Sequence, residues 1–304
     1  MPPDGKGLHR LTNSSARAVI GHVGCSLLMS ERTNTNETIM QERHKNRRRY
    51  FCELAETSRS HFMPYISRWH EVGRETSVLE IGCGEGGNLL PFAKAGAAVT
   101  GIDIASCRIE QARRFFSEEQ AEAKLDVSQG SFICCNIFRY QAGEKFDIII
   151  CHDVLEHLKD KERLLSLVHS YLKDSGIAFI SFPAWQMPFG GHQQISRSRL
   201  LSHLPFVHLL PFPLYKRIIR WSGESNGLMD ELLSIRETRI TVEAFERLVR
   251  RSGLTIADRT LYLINPHYKV KFGLPPCKLP QPLPCVPYLR DVLSSSCFYL
   301  LRKR

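Results

Sequence analysis

An apolar run that ends in closely spaced glycines, Val78-Leu-Glu80-Ile-Gly82-Cys-Gly84-Glu-Gly86-Gly87, constrains this chain more than any other feature. A strand entering such a loop makes room for a nucleotide-like ligand, because a Cβ there would block the turn or hold the ligand away from backbone N–H groups. The spacing alone is ambiguous: Gly82, Gly84 and Gly86 fit GxGxG, whereas Gly82, Gly84 and Gly87 fit the dinucleotide pattern GxGxxG. Two acids add context. Glu80 lies inside the strand, and Asp103 closes a second apolar strand, Ala98–Asp103, twenty-one residues after Gly82. A carboxylate at that place can accept both hydroxyls of a ribose.

Downstream, apolar runs alternate with helical stripes. Phe132–Ile137, Phe146–His152 and Gly176–Pro183 read as strands. Leu89, Leu90, Phe92 and Ala93 mark one helix, Ile109, Ala112, Phe115 and Phe116 a second, and Leu164, Leu165, Val168 and Leu172 a third. Strand–helix alternation predicts a parallel doubly wound sheet, with the ligand crevice at the carboxyl ends of the strands. After the fifth strand, residues 184–240 carry Trp185, Met187, Phe189, His192, Tyr215 and Trp221 and read as an insertion over that crevice. Val242, Phe245, Leu248 and Val249 predict a helix over Thr241–Arg251, followed by a strand near Thr255–Ile264. Six prolines within Pro275–Pro287 predict an extended connector into a final strand at Cys297–Leu301.

With these motifs in this order, the chain resembles the class I S-adenosylmethionine methyltransferases, and among them the ubiquinone-biosynthesis O-methyltransferase branch. The resemblance covers Ser77–Pro183, with weaker agreement at Thr241–Pro266 and Ser294–Leu301. It implies an α/β, doubly wound Rossmann-like sheet of seven mostly parallel strands, the last antiparallel and inserted, with helices on both faces and a helical substrate cap. It further implies S-adenosylmethionine as cofactor. Glu80 would brace the glycine loop, Gly82, Gly84 and Gly86 would line the methionine moiety, Asp103 would bind the ribose, and Ile104 would touch the adenine. Asn136 stands where the family usually has Asp, keeping the carbonyl acceptor without the charge. His152 would contact the cofactor through its backbone.

The formal charge of +10 suggests nucleic acid until it is divided along the chain. Residues 72–183 carry 12 Lys+Arg against 16 Asp+Glu, so the cofactor core is acidic and the excess is scattered outside it. A small-molecule acceptor is therefore expected, and no specific nucleic acid. An amine-directed nucleic-acid methyltransferase would carry an Asn/Asp-Pro-Pro-aromatic motif after the fourth strand, where this chain has Cys151-His-Asp-Val154. A nicotinamide oxidoreductase and a non-catalytic cofactor-binding protein are the rival classes, and calorimetry with each cofactor discriminates them. Ten cysteines without metal-binding spacing, four of them (Cys83, Cys134, Cys135, Cys151) in or beside core strands, point to buried thiols in a reducing, cytoplasmic setting. No apolar run is long enough to span a bilayer. Residues 1–38 lack periodicity and are expected to be a disordered leader, residues 39–76 a helical lead-in, and residues 77–304 the methyltransferase domain with its 184–240 cap.

Methyl transfer needs a base only when the acceptor has a proton to lose. His192, in the loop Gly190-Gly-His-Gln-Gln194 rimmed by Trp185 and Phe189, is the first catalytic candidate, and His157 the second. In ubiquinone O-methyltransferases an acid-x-x-Glu-His pattern can hold a divalent ion near the acceptor oxygen, and Asp153-Val-Leu-Glu156-His157 matches it in shape. The Leu-Glu-His triplet is also widespread in the family as a structural helix start; that reading is adopted, and no metal is expected.

Overall fold

The computed structural model describes residues 46–123 and 130–304. The leader expected at 1–38 lies outside the described residues. A helix α1 (Arg47–Thr57) passes through a π-helical turn (Ser58–Phe62) into α2 (Met63–Ile66). The wide turn, in which Met63 N–H bonds to the Ser58 carbonyl, comes just before Pro64, which has no N–H to give to a regular helical ladder.

The core then runs β1 (Ser77–Ile81), α3 (Leu90–Lys94), β2 (Ala98–Asp103), α4 (Ser106–Ala123), β3 (Ser131–Cys134), β4 (Phe146–His152), α5 (Lys161–Tyr171) and β5 (Leu172–Phe182). Beyond the cap come α9 (Val242–Arg251), β6 (Leu254–Ile264), α10 (His267–Phe272), β7 (Cys277–Lys278), α11 (Leu289–Leu293) and β8 (Ser296–Lys303). The sheet order is β3-β2-β1-β4-β5-β8-β6-β7, with β8 antiparallel between β5 and β6. The doubly wound sheet with an inserted antiparallel strand agrees with the sequence reading; the eighth strand, β7, does not appear in it. Cys277 and Lys278 add this strand at the β6 edge, where the adjoining prolines cost no ladder bonds because nothing pairs beyond them.

Two apolar layers hold the sheet. On one face Leu164, Leu165 and Val168 of α5 and Val242, Phe245 and Val249 of α9 pack on alternate strand residues. On the other, Phe51 of α1, Phe92 of α3 and Phe115 and Phe116 of α4 close over Val78, Ile148 and Phe179. Parallel register sets the site: Ile81 pairs with Ile102 on one side and Cys151 on the other, so the residues that follow β1, β2 and β4 emerge at one level.

The cap contains α6 (Arg199–His203), α7 (Phe212–Trp221) and α8 (Asn226–Thr238). It buries its own small cluster of Leu201, Val207, Tyr215, Ile219 and Leu232. Trp221, read as part of the insertion over the crevice, is 73% exposed, and Tyr215 faces the cap's interior; an amphipathic stripe says that a face is covered but not by what. Cys134, expected to be buried, is exposed, and Cys135 half-buried, because β3 is an edge strand of the sheet. Among the described residues no helix is long and apolar enough to cross a membrane.

Candidate active site

The glycine loop forms because β1 must turn back over β2. Gly82 and Cys83 donate to the Ile102 carbonyl at 2.7 and 3.0 Å, and Gly82, Gly84 and Gly86 have φ of 74°, 53° and 83°. Two glycines here answer different demands. A Cβ on Gly84 would meet only Arg108 Nη1 at 3.7 Å, leaving open space above the loop, whereas one on Gly87 would lie 2.6 Å from the Phe51 carbonyl oxygen. Gly87 thus lets α1 pack against the loop, an approach tied by Arg47 to Glu85 at 2.8 Å and by the Ser58 hydroxyl to the Asn88 carbonyl at 2.7 Å.

Asp103 is buried and accepts from Gly84 N–H at 2.9 Å and Ala105 N–H at 2.8 Å. Those bonds aim the carboxylate across the loop and leave it lone pairs for a ligand. Beneath it, Glu80 accepts from Asn88 Nδ2 at 2.8 Å, while Glu80 Oε2 and Asn88 Oδ1 are buried without a partner. Burial pushes the Glu80 carboxyl up to about 8; the Asn88 bond pulls the other way and the Asp103 charge adds to the rise. Ile104 is exposed at the end of β2. Asn136 caps the 3-10 turn Ile137–Arg139 by accepting from Phe138 N–H at 2.9 Å, which leaves its carbonyl oxygen one lone pair. The His152 ring is held by Ser181 Oγ at 2.5 Å and by Phe62 at 4.7 Å between centroids.

At the end of β4 the chain reaches Asp153 with φ of 51°, uncommon for a residue with a Cβ, and enters the 3-10 turn Leu155–His157. A cavity of about 210 Å³ opens here. Its wall takes Asp153 from this loop, Met187, Phe189 and His192 from the loop after β5, Tyr50 from α1, and His267, Tyr268 and Lys271 from α10. His192, with φ of 57°, and His157 lie edge to face, 5.3 Å between ring centroids. The two histidines singled out from sequence are therefore brought together.

Glu156 completes the group. His157 Nε2 is 3.7 Å from Glu156 Oε1, and Glu156, His157 and His192 each bring a ligand atom within 4.8 Å of the others. Both Glu156 oxygens are buried without a hydrogen-bond partner, and burial, reinforced by Asp153, raises its carboxyl well above the usual range. Burial drives the His157 imidazole down to about 3, helped by His192, and lowers that of His192 against the pull of Asp153. Both rings are thus neutral proton acceptors near pH 7. Asp153, the first acid of the acid-x-x-Glu-His pattern, lies apart, 3.4 Å from His152 Nε2.

The turn is anchored to the cap: Thr238 Oγ1 donates to the Glu156 carbonyl at 2.6 Å, and buried Lys161 donates to the Leu158 and Thr238 carbonyls. Trp185, expected on the rim, instead packs against His208 at 4.7 Å and accepts its Nε2–H through the backbone carbonyl. Asn265 to Lys271 were not visible as site residues, because nothing local distinguishes them from a surface helix after Pro266.

A family model described as a methyltransferase domain matches residues 43–258. The chain belongs to this methyltransferase family. The resemblance drawn from the strand and loop motifs is correct at that level, and S-adenosylmethionine-dependent methyl transfer is the chemistry of the class. Among curated relatives of this methyltransferase, the ubiquinone biosynthesis O-methyltransferase of Histophilus somni (strain 2336) is 32% identical over 139 residues, 44% of this chain and 58% of that protein. The enzyme of the same name from Brucella anthropi is 32% identical over 189 residues, 62% of this chain and 64% of that one. The methyltransferase thus spans between 48% and 58% of the length of the first curated relatives that it matches. Magnesium protoporphyrin IX methyltransferase from Synechocystis PCC 6803, solved with bound SAH, is 17% identical over 83% of this chain and 84% of that one, with a TM-score of 0.49.

Proposed function

We propose that this methyltransferase moves the methyl group of S-adenosylmethionine onto an oxygen of a small aromatic or lipid-like acceptor, with His192 taking the acceptor's proton. The observation that carries the reading is the contact of buried His157 with His192, which lines a cavity that opens at the end of β4, one strand from the glycine loop. The cofactor supplies a carbon already activated by its sulfonium, so the protein's tasks are alignment, exclusion of water and proton removal.

The glycine edge suits that cofactor. Asn88 Oδ1 is a buried acceptor without a donor, which fits a ligand carrying N–H groups, and Gly84 leaves room above the loop. Gly82, Gly84 and Gly86 would line the methionine portion, Asp103 would accept the ribose hydroxyls, Ile104 would lie against the adenine, Asn136 would take the adenine amino group on its free lone pair, and His152 would contribute backbone. Met187, Phe189 and Tyr268 form the apolar wall for the acceptor. We read the compartment as cytoplasmic, from the thiols of Cys83 and Cys151 buried singly in the core.

The acceptor class is tested by incubating cell extracts with the protein and methyl-labelled S-adenosylmethionine and identifying the labelled product by mass spectrometry. With that product in hand, His192→Ala should retain cofactor binding while turnover falls roughly 100-fold, the usual worth of a positioned base, and the defect should shrink at high pH. Near-normal turnover at neutral pH would remove His192 from the chemistry.

The unpartnered oxygens of Glu156 favour a second reading, in which Glu156, His157 and His192 hold a divalent cation that would polarise the acceptor oxygen. Chelation separates the two: loss of activity with EDTA, restored by Mg²⁺, selects the cation, and indifference to EDTA selects the base.

A further inference from the structure

The carboxylate of Asp291, in α11, lies outside the cavity wall and is fully buried. Its two oxygens reach two distant points of the chain: Oδ2 accepts from Gln186 N–H at 3.0 Å and Oδ1 from Val242 N–H at 2.8 Å. Gln186 lies where the chain leaves β5 for the cap, and Val242 where it returns from the cap into α9. The two stems also touch directly, Trp185 N–H donating to the Ile240 carbonyl at 3.0 Å. Val242 opens α9, so its N–H has no acceptor within the helix and takes one from Asp291 instead. Burial pushes the Asp291 carboxyl up to about 6 against the pull of both N–H bonds, which leaves it ionised at neutral pH with both oxygens accepting. Holding α11 on α9 is already the work of Arg290, which pairs with Glu243 and Glu246 at 3.0 Å each. From Gln186 a run of tight turns leads to the site: Gly190 N–H donates to the Met187 carbonyl and His192 N–H to the Phe189 carbonyl, both at 3.0 Å. A Cβ on Gly190 would lie 2.2 Å from the Trp185 carbonyl oxygen, so this stretch is coiled closely on its own stem. Met187, Phe189 and His192 all line the cavity.

We propose that Asp291 is a positioning residue: by holding both stems of the cap with one carboxylate, it sets the place of Met187, Phe189 and His192 in the cavity and so the affinity for the methyl acceptor. The part that concerns the acceptor rests on the proposed function, whereas the clamp itself is read from the backbone of the stems. Asparagine, of the same shape, keeps one of the two bonds but turns its NH2 toward the N–H of the other stem, where two donors meet. One buried hydrogen bond is then lost and one stem freed, without emptying any space in the core. The glycine loop and Asp103, at the ends of β1 and β2, are separated from the stem at the end of β5 by β4. Loosening the stems should therefore be felt by the acceptor and not by the cofactor.

The test compares the full chain with Asp291→Asn, and with Val99→Ala as a control that thins the buried core near the start of β2, away from the crevice. In hydrogen–deuterium exchange, residues 185–193 and 240–243 should exchange about tenfold faster in Asp291→Asn, with β1 and β4 unchanged. Affinity for S-adenosylmethionine in calorimetry should stay within about twofold of the parent. With methyl-labelled S-adenosylmethionine and cell extract, the half-saturating amount of extract should rise about tenfold while the maximal rate falls less than about threefold. Val99→Ala should lower the melting temperature and leave half-saturation where it is. Unchanged exchange in both stems, a loss of cofactor affinity as large as that for the extract, or an equal rise in half-saturation for Val99→Ala would each overturn the proposal. If the parent protein labels nothing in the extract, the acceptor reading fails, and the exchange measurement still decides whether Asp291 clamps the cap. Asp291→Glu, which keeps the charge but displaces both oxygens by a methylene, is read the same way if the asparagine variant does not fold.

Discussion

The cofactor half and the cap are built to different standards. Around β1, β4 and β5 the core is closed: Phe62, Phe179 and Phe298 pack with ring centroids 5.0 to 5.4 Å apart, and Phe179 has no exposed surface. The cap has only a small cluster of five buried apolar residues, Leu201, Val207, Tyr215, Ile219 and Leu232. A densely packed half is rigid, whereas a region with a small core opens at low cost. Under the proposed function, the cofactor would rest on the sheet and the acceptor would meet the less densely packed cap.

Substitution in the dense half should have the largest effect. Phe179→Ala removes the centre of the aromatic cluster and should cost about 3 to 5 kcal/mol of global stability by urea denaturation. A loss below about 1 kcal/mol would show that the cluster repacks and would erase the contrast with the cap.

Asp103→Ala should weaken S-adenosylmethionine binding by roughly 1 to 3 kcal/mol in titration calorimetry, because a buried charged acceptor is lost. It should also lower the melting temperature, since the Gly84 and Ala105 N–H groups lose their partner. Unchanged affinity in a folded variant would separate this carboxylate from the cofactor.

A pH series sharpens the comparison further. With its pKa raised to about 8, Glu80 keeps a proton in the folded protein at pH values where the unfolded chain has released it. Stability should therefore fall as pH rises from the ordinary carboxylate range toward about 8, the direction opposite to that of a salt-bridged carboxylate. Glu80→Gln cannot ionise, so its stability relative to the parent should rise by about 1.4 kcal/mol for each pH unit across that window. Parallel curves for the two proteins would mean that Glu80 is ionised in the fold.

The smallest effect belongs to the cap. The Tyr215 hydroxyl is buried without a partner, so Tyr215→Phe should change stability by less than about 1 kcal/mol, toward the stable side. A clear loss would reveal a partner for that hydroxyl and a better satisfied cap than described here.

The glycine loop, the acids Glu80 and Asp103, the final strand and the helix at Val242–Arg251 were all legible in the sequence, while the antiparallel insertion of that strand was implied by the family resemblance. Each depends on local requirements: a positive φ, an apolar strand bounded by turns, a stripe at helical spacing. The tertiary structure alone decided what those stripes face. The spacing of Tyr215 and Ile219 is compatible with a ligand wall, but those residues close the cap's own core, while Trp221, assigned to the same wall, is left in solvent. Of the residues read together in that insertion, Met187 and Phe189 do line the cavity, joined by Tyr50 and Tyr268 from distant parts of the chain. The contact of His157 with His192 likewise arises only when the loops after β4 and β5 emerge from neighbouring parallel strands. Periodicity along a chain determines that a surface must be buried; which surface covers it depends on contacts between distant segments, and those form only in the folded sheet.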